Sequence, residues 1–134
     1  EYFRDWLEND GFPFWSFWEN VKTWWDMKDA ENVLLLHFAE LKQDLPGMIR
    51  RVASFLDITI DEEKFSSIVE HCTFAWMKEN GSNVVPANGS FWDGGTSTFI
   101  NKGVNGRWAD VLPKEDSDCY EKLAKEKLGD DCAA

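Results

Sequence analysis

The sequence predicts part of an α/β protein that is mostly helical and carries one strand buried on both faces. Two patterns predict it. Apolar residues recur at helical spacing in several stretches, whereas residues 33–38 form a short apolar run with no helical period. A doubly buried strand must hand its N–H and C=O groups to neighbours, and no second convincing strand occurs in the chain. The neighbouring strands are therefore expected from outside it.

The elements follow in order. Residues 1–13 end in a break at Gly11 and Pro13. Ser16 to Glu19 then reads as a capping box, in which the serine oxygen accepts a backbone N–H and the glutamate reaches back. Phe17, Trp18, Val21, Trp24 and Trp25 lay an aromatic face along a helix ending near Asp29. His37, inside the expected strand, reads as a core histidine in preference to a ligand. Pro46 suits the first turn of a second helix, because its missing N–H costs nothing there. Met48, Ile49, Val52, Ala53, Phe55 and Leu56 form that helix's apolar stripe. Asp61 reads as the N-cap of a third helix, stapled by Ile60 and Phe65 and burying Phe65, Ile68, Val69 and Cys72. Residues 78–98 are rich in Gly, Asn and Ser and read as a long loop, a feature that is usually functional or mobile. The last helix starts near Pro113, buries Tyr120, Leu123, Ala124 and Leu128, and stops at Gly129.

Composition excludes several classes. A chain of 134 residues fits one domain. With 43% hydrophobic and 29% charged residues it is neither disordered nor fibrous. No apolar run approaches the ~18 residues of a membrane helix, so no membrane partner is expected. The net charge of −11 opposes general nucleic-acid binding, yet one anionic nucleotide can still be held where a few donors converge. Cys72, Cys119 and Cys132 have no metal-ligand spacing and leave one thiol over in any pairing. No metal and a reducing, cytoplasmic setting are the simpler expectation. Asn88-Gly89-Ser90 is a formal glycosylation acceptor that reads as chance. Eight Trp and ten Phe imply either a generous core or aromatic faces turned to another part of the protein or a planar ligand. On the second reading the exposed aromatic surface would also support a dimer.

Residues 99–108 carry the most chemistry. They run Phe99-Ile100-Asn101-Lys102-Gly103-Val104-Asn105-Gly106-Arg107-Trp108. Gly103 and Gly106 allow a tight turn that presents backbone N–H groups, and Lys102 and Arg107 bracket it with positive charge, which suits a phosphate. Taken alone, Gly-x-x-Gly reads as readily as a plain turn.

The order of the pieces, from Phe3 to Leu128, resembles the sulfotransferase family. Residues 33–40 resemble its late strand running into Tyr-Glu-Asp, here Phe38-Ala39-Glu40, and residues 49–56 its "I-x-x-I-x-x-F-L" helix. His71-Cys72-Thr73-Phe74-Ala75-Trp76-Met77 resembles "H-T-S-F-x-x-M". Lys102-Gly103-Val104-Asn105-Gly106-Arg107-Trp108 resembles "R-K-G-x-x-G-D-W". The resemblance implies a three-layer fold around a parallel sheet like that of P-loop nucleotide hydrolases. It also implies transfer of a sulfonate from 3′-phosphoadenosine-5′-phosphosulfate to a hydroxyl or amine of a small-molecule acceptor. Lys102 and the backbone at Gly103 would bind the donor's 3′-phosphate. Phe74 would stack on adenine, Cys72 and Met77 would line its edge, and Phe38, Phe99 and Ile100 would border the nucleotide. Read without the family, Phe74 and Met77 suit plain packing at a helix end. Asn101 stands where the family has arginine, which removes a fork-shaped phosphate donor. Arg107, where the family has aspartate, is the candidate replacement.

By the same resemblance, residues 1–134 are the C-terminal part of a single sulfotransferase domain. The 5′-phosphosulfate loop and the histidine base belong to its N-terminal half, and neither His37 nor His71 sits in the base's motif. No catalytic residue is therefore assigned. The rival reading is a non-enzymatic, aromatic-rich helical module that binds a partner protein.

Overall fold

The computed structural model describes residues 2–11, 13 and 15–133. Helix α1 (Tyr2–Glu8) leads to Gly11, whose φ of +82° permits the break expected there. Helix α2 (Phe17–Asp26) is capped by Ser16, whose Oγ accepts from the Glu19 N–H at 3.1 Å. Asp10 joins this cap from across the turn. Its carboxylate takes the Ser16 hydroxyl and, at 3.1 Å, the Trp18 N–H. The helix stops at Asp26, short of Asp29, where Met27 donates to the Trp24 carbonyl at 3.2 Å.

The buried strand over 33–38 does not form. The described residues contain no strand, and 33–37 run as irregular backbone. Val33, Leu34 and Leu35 are half-buried, while Leu36, His37 and Phe38 are exposed. The cause is the one the sequence already implied, since a ladder cannot form without a second strand to accept and donate. His37 is likewise no core residue. It caps helix α3 (Phe38–Gln43), its Nδ1 accepting from the Ala39 N–H at 3.3 Å.

Asp44 caps helix α4 (Leu45–Phe55), accepting from the Gly47 N–H at 2.9 Å, with Pro46 in the first turn as expected. Met48 and Ala53 are buried, but Phe55 and Leu56 at the end of the stripe are exposed. Helix α5 (Phe65–His71) begins later than expected from Asp61, which instead accepts from the Glu63 N–H in the preceding turn. Phe65 and Val69 of α5 are half-buried, whereas Ile68 and the C-cap Cys72 are exposed. Thr73 caps helix α6 (Phe74–Glu79), its Oγ1 accepting from the Trp76 N–H at 3.2 Å.

The segment 78–98 is not a structureless loop. It folds as helix α7 (Gly81–Val84), a 3-10 turn at Pro86–Gly89, and helix α8 (Thr96–Phe99). Two glycines make this packing possible. A Cβ on Gly81 would lie 2.9 Å from the Thr96 Cβ, and one on Gly89 would lie 2.8 Å from the Gly95 carbonyl carbon. These contacts are made across irregular backbone, so no local periodicity announces them. A 3-10 turn at Arg107–Asp110 precedes helix α9 (Lys114–Leu128), which starts after Pro113 and ends at Gly129 with φ +78°. Helix α10 (Asp130–Ala133) follows. No described helix is long and apolar enough to cross a membrane.

The chain divides into two compact units, residues 1–35 with 106–134, and residues 36–105. In the first, Trp18 is 3% exposed and packs with Leu7 and Ala124, surrounded by Phe3, Trp6, Phe17, Tyr120, Leu123 and Leu128. The expected stripe of α9 is thus the stripe that packs. Burial also raises the Tyr120 phenol above its ordinary range. In the second unit Met48, Ala53 and Val85 are buried, and an Arg50–Glu62 pair with bonds of 2.6 and 2.8 Å ties α4 to the turn before α5.

Candidate functional site

A groove of about 320 Å³ opens in the second unit, lined by Phe38, Leu41, Lys42, Leu45, Cys72, Thr73, Phe74, Met77 and Gly103. Three segments build it. Helix α3 presents Phe38, Leu41 and Lys42 from adjoining turns. The Thr73 cap fixes the start of α6, so Phe74 and Met77, three apart, share the face turned to the groove. The loop after α8 supplies Gly103.

Gly103 has φ +60°, and a Cβ placed on it would fall within 2.7 Å of the Phe74 Cγ. The backbone can lie against that ring only because the side chain is absent. The groove is mainly apolar, and its charge comes from lysines. Lys42 Nζ donates to the Gly103 carbonyl at 2.9 Å. Lys78 Nζ donates to the Asn101 carbonyl at 3.3 Å and stands 5.8 Å from the centre of the Phe74 ring. Lys102 lies between those two carbonyls in sequence and is exposed. Three cations thus meet at one loop of a chain whose net charge is −11.

Of the residues singled out in the sequence, Phe38, Cys72, Phe74, Met77 and Gly103 come together here. Asn101 and Lys102 belong to the same loop, with Asn101 tied in through its carbonyl. Phe99 packs instead against Trp92, ring centres 4.7 Å apart, and half-buried Ile100 ends α8. Arg107 falls in the other unit, exposed on the 3-10 turn. The sequence reading missed Lys42 and Lys78. A signal existed, because each lysine stands four residues after an aromatic that was named, Phe38 and Phe74. It was weak, since a lysine on a short helix is usually only solvated.

An aromatic ring, a glycine that lets backbone approach it, and converging ammonium groups form a surface suited to a flat heterocycle carrying an anionic group. A family profile for the sulfotransferase domain matches residues 1–131. The chain belongs to the sulfotransferase family. It is 33% identical to Sulfotransferase 1B1 of Mus musculus over 129 residues, covering 96% of this chain and 43% of that protein. It is 31% identical to Sulfotransferase 1C2 of Homo sapiens, with coverage of 96% and 43%. The chain thus spans less than half the length of these relatives. Among solved structures, retinol dehydratase in a complex with retinol and PAP superposes with a TM-score of 0.76 at 31% identity, covering 95% of this chain and 38% of that one. The crystal structure of mouse sulfotransferase SULT7A1 complexed with PAP gives a TM-score of 0.76 at 19% identity, over 97% of this chain and 47% of that one, a likeness of fold.

Proposed function

We propose that this chain forms the adenine and 3′-phosphate side of the donor site in an enzyme that moves a sulfonate from 3′-phosphoadenosine-5′-phosphosulfate to a small-molecule hydroxyl or amine. Residues 1–134 are then the C-terminal part of one sulfotransferase domain with the family's three-layer α/β architecture. The N-terminal part supplies the sheet, the 5′-phosphosulfate loop and the base. The protein works in the cytoplasm.

One observation carries the reading. Phe74 and Gly103 meet in a groove bordered by Phe38, Cys72 and Met77, beside a loop held by lysines. In the proposed complex adenine packs against Phe74, with Phe38, Cys72 and Met77 around it. Phe99 and Ile100 border the nucleotide from the start of the loop. The 3′-phosphate meets Lys102 and the loop's N–H groups, with Asn101 beside them. The two structural relatives whose descriptions name PAP add support. In the second unit, exposed aromatics such as Phe91 (76%) and Phe38 (58%) offer surface for a dimer.

The test is calorimetry of the intact enzyme with 3′,5′-adenosine bisphosphate and with 5′-AMP. Binding of the bisphosphate that exceeds binding of the monophosphate is expected. No binding of either would leave the aromatic interaction module as the better reading.

A further inference from the structure

Helices α3 and α6 each send one lysine to the same loop, and each lysine stops at a backbone carbonyl. Lys42 holds the Gly103 carbonyl at 2.9 Å and Lys78 the Asn101 carbonyl at 3.3 Å. Both lysines follow the groove phenylalanines Phe38 and Phe74 by one helical turn, so aromatic and ammonium groups come from the same helix faces. Among the described residues neither ammonium is paired with a carboxylate, although Asp and Glu number 25 in this chain. The short ion pairs of the second unit join other partners, such as Arg50 with Glu62 and Lys64 with Asp61.

Holding these carbonyls has a directional consequence. In a trans peptide the C=O and the following N–H point opposite ways. With the Asn101 carbonyl turned to Lys78, the Lys102 N–H points away from it. With the Gly103 carbonyl turned to Lys42, the Val104 N–H does likewise. Among the described residues, neither N–H has an acceptor. The lysines also neutralise the carbonyl dipoles, which would otherwise present partial negative charge beside an incoming anion.

We propose that Lys42, assisted by Lys78, is a positioning residue of the donor site. It clamps the Gly103 carbonyl so that the N–H groups around Lys102 stay turned toward the 3′-phosphate, and it does not itself bind that phosphate. The proposal rests on the nucleotide-site reading above and adds to it the device that presets the loop. Preset donors cost no reordering when the nucleotide arrives, so losing the clamp weakens the hold on the 3′-phosphate more than the packing of adenine.

The experiment compares Lys42→Met, Lys42→Arg, Lys78→Met and Lys102→Ala in the intact enzyme, titrated with 3′,5′-adenosine bisphosphate and with 5′-AMP at several salt concentrations. Lys42→Met should lose roughly tenfold in bisphosphate affinity, the worth of one hydrogen bond from a charged group. It should weaken 5′-AMP binding less than bisphosphate binding and keep the salt dependence of the parent. Lys42→Arg, which keeps a charged donor, should recover most of the loss. Lys78→Met should show the same pattern more weakly, as its bond is longer. Unchanged bisphosphate affinity in a folded Lys42→Met protein overturns the proposal. A flattened salt dependence equal to that of Lys102→Ala also overturns it, by making Lys42 a phosphate ligand. Absence of bisphosphate binding by the parent protein defeats instead the nucleotide-site reading beneath it.

Discussion

The Gly103 backbone rests on the ring of Phe74 so closely that a methyl group at Gly103 would lie 2.7 Å from the ring's Cγ. This contact closes one side of the groove and joins the loop after α8 to the start of α6. Gly103→Ala should fail on two counts, ring overlap and a φ of +60° that L-residues resist. A destabilisation of about 1–3 kcal/mol is expected for overpacking of this kind. The bisphosphate should also bind more weakly, as calorimetry and a thermal melt together would show. Parent-like values in both would mean that loop and ring are not held together.

Lys102 is exposed and has no protein partner among the described residues, which leaves its ammonium free for a ligand. Lys102→Ala should weaken bisphosphate binding by about 1.5–3 kcal/mol, the range for a charged hydrogen bond. Asn101 uses its carbonyl for Lys78, and its side chain is exposed, so Asn101→Arg should preserve or tighten binding. A marked loss on adding that arginine would show that the space beside Lys102 is already taken.

The cysteines offer a reading of the groove without mutation. Cys72 is exposed and lines it, whereas Cys119 is exposed in the other unit. Bound bisphosphate should slow alkylation of Cys72 and leave Cys119 unaffected, as peptide mass spectrometry would measure. Equal protection of both, or of neither, would count against adenine lying beside Cys72.

Cys132 should behave differently from both. Burial, and then the neighbouring Asp26 carboxylate, raise its thiol above the usual cysteine range. A raised value means less thiolate at a given pH, so alkylation should be slow near neutrality and should accelerate only at a higher pH than for an ordinary thiol. Asp26→Asn removes the second cause and should move that rise toward lower pH. An unmoved profile would leave burial as the sole cause.

The first unit depends on Trp18, which is 3% exposed at the centre of its core. Trp18→Ala should cost about 3–5 kcal/mol, the range for emptying a large aromatic site. Chemical denaturation followed by far-UV circular dichroism would measure it.

Several of these features could be read from the chain alone. The helix over α9 was legible from its start after Pro113 to its stop at Gly129, because caps and periodicity are properties of neighbouring residues. The cap at Ser16 was legible for the same reason, although the partner that completes it, Asp10, lies across a turn. Phe38, Cys72, Phe74, Met77 and Gly103 could be named, but only through motif order, which says that residues belong to one site without saying how they touch.

What the sequence determined by itself was therefore the local grammar of the helices, the family, and the set of aromatic and glycine positions around the groove. The tertiary structure decided the rest. It left 33–38 without a strand, because ladder hydrogen bonds need a second strand and the described residues contain none. It turned 78–98 into short helical pieces through the close approach of Gly81 and Gly89 to residues near Thr96. It also brought Lys42 and Lys78 to the carbonyls of Gly103 and Asn101. Those contacts span distances in sequence over which no periodicity persists, so only the folded chain brings the lysines to the loop.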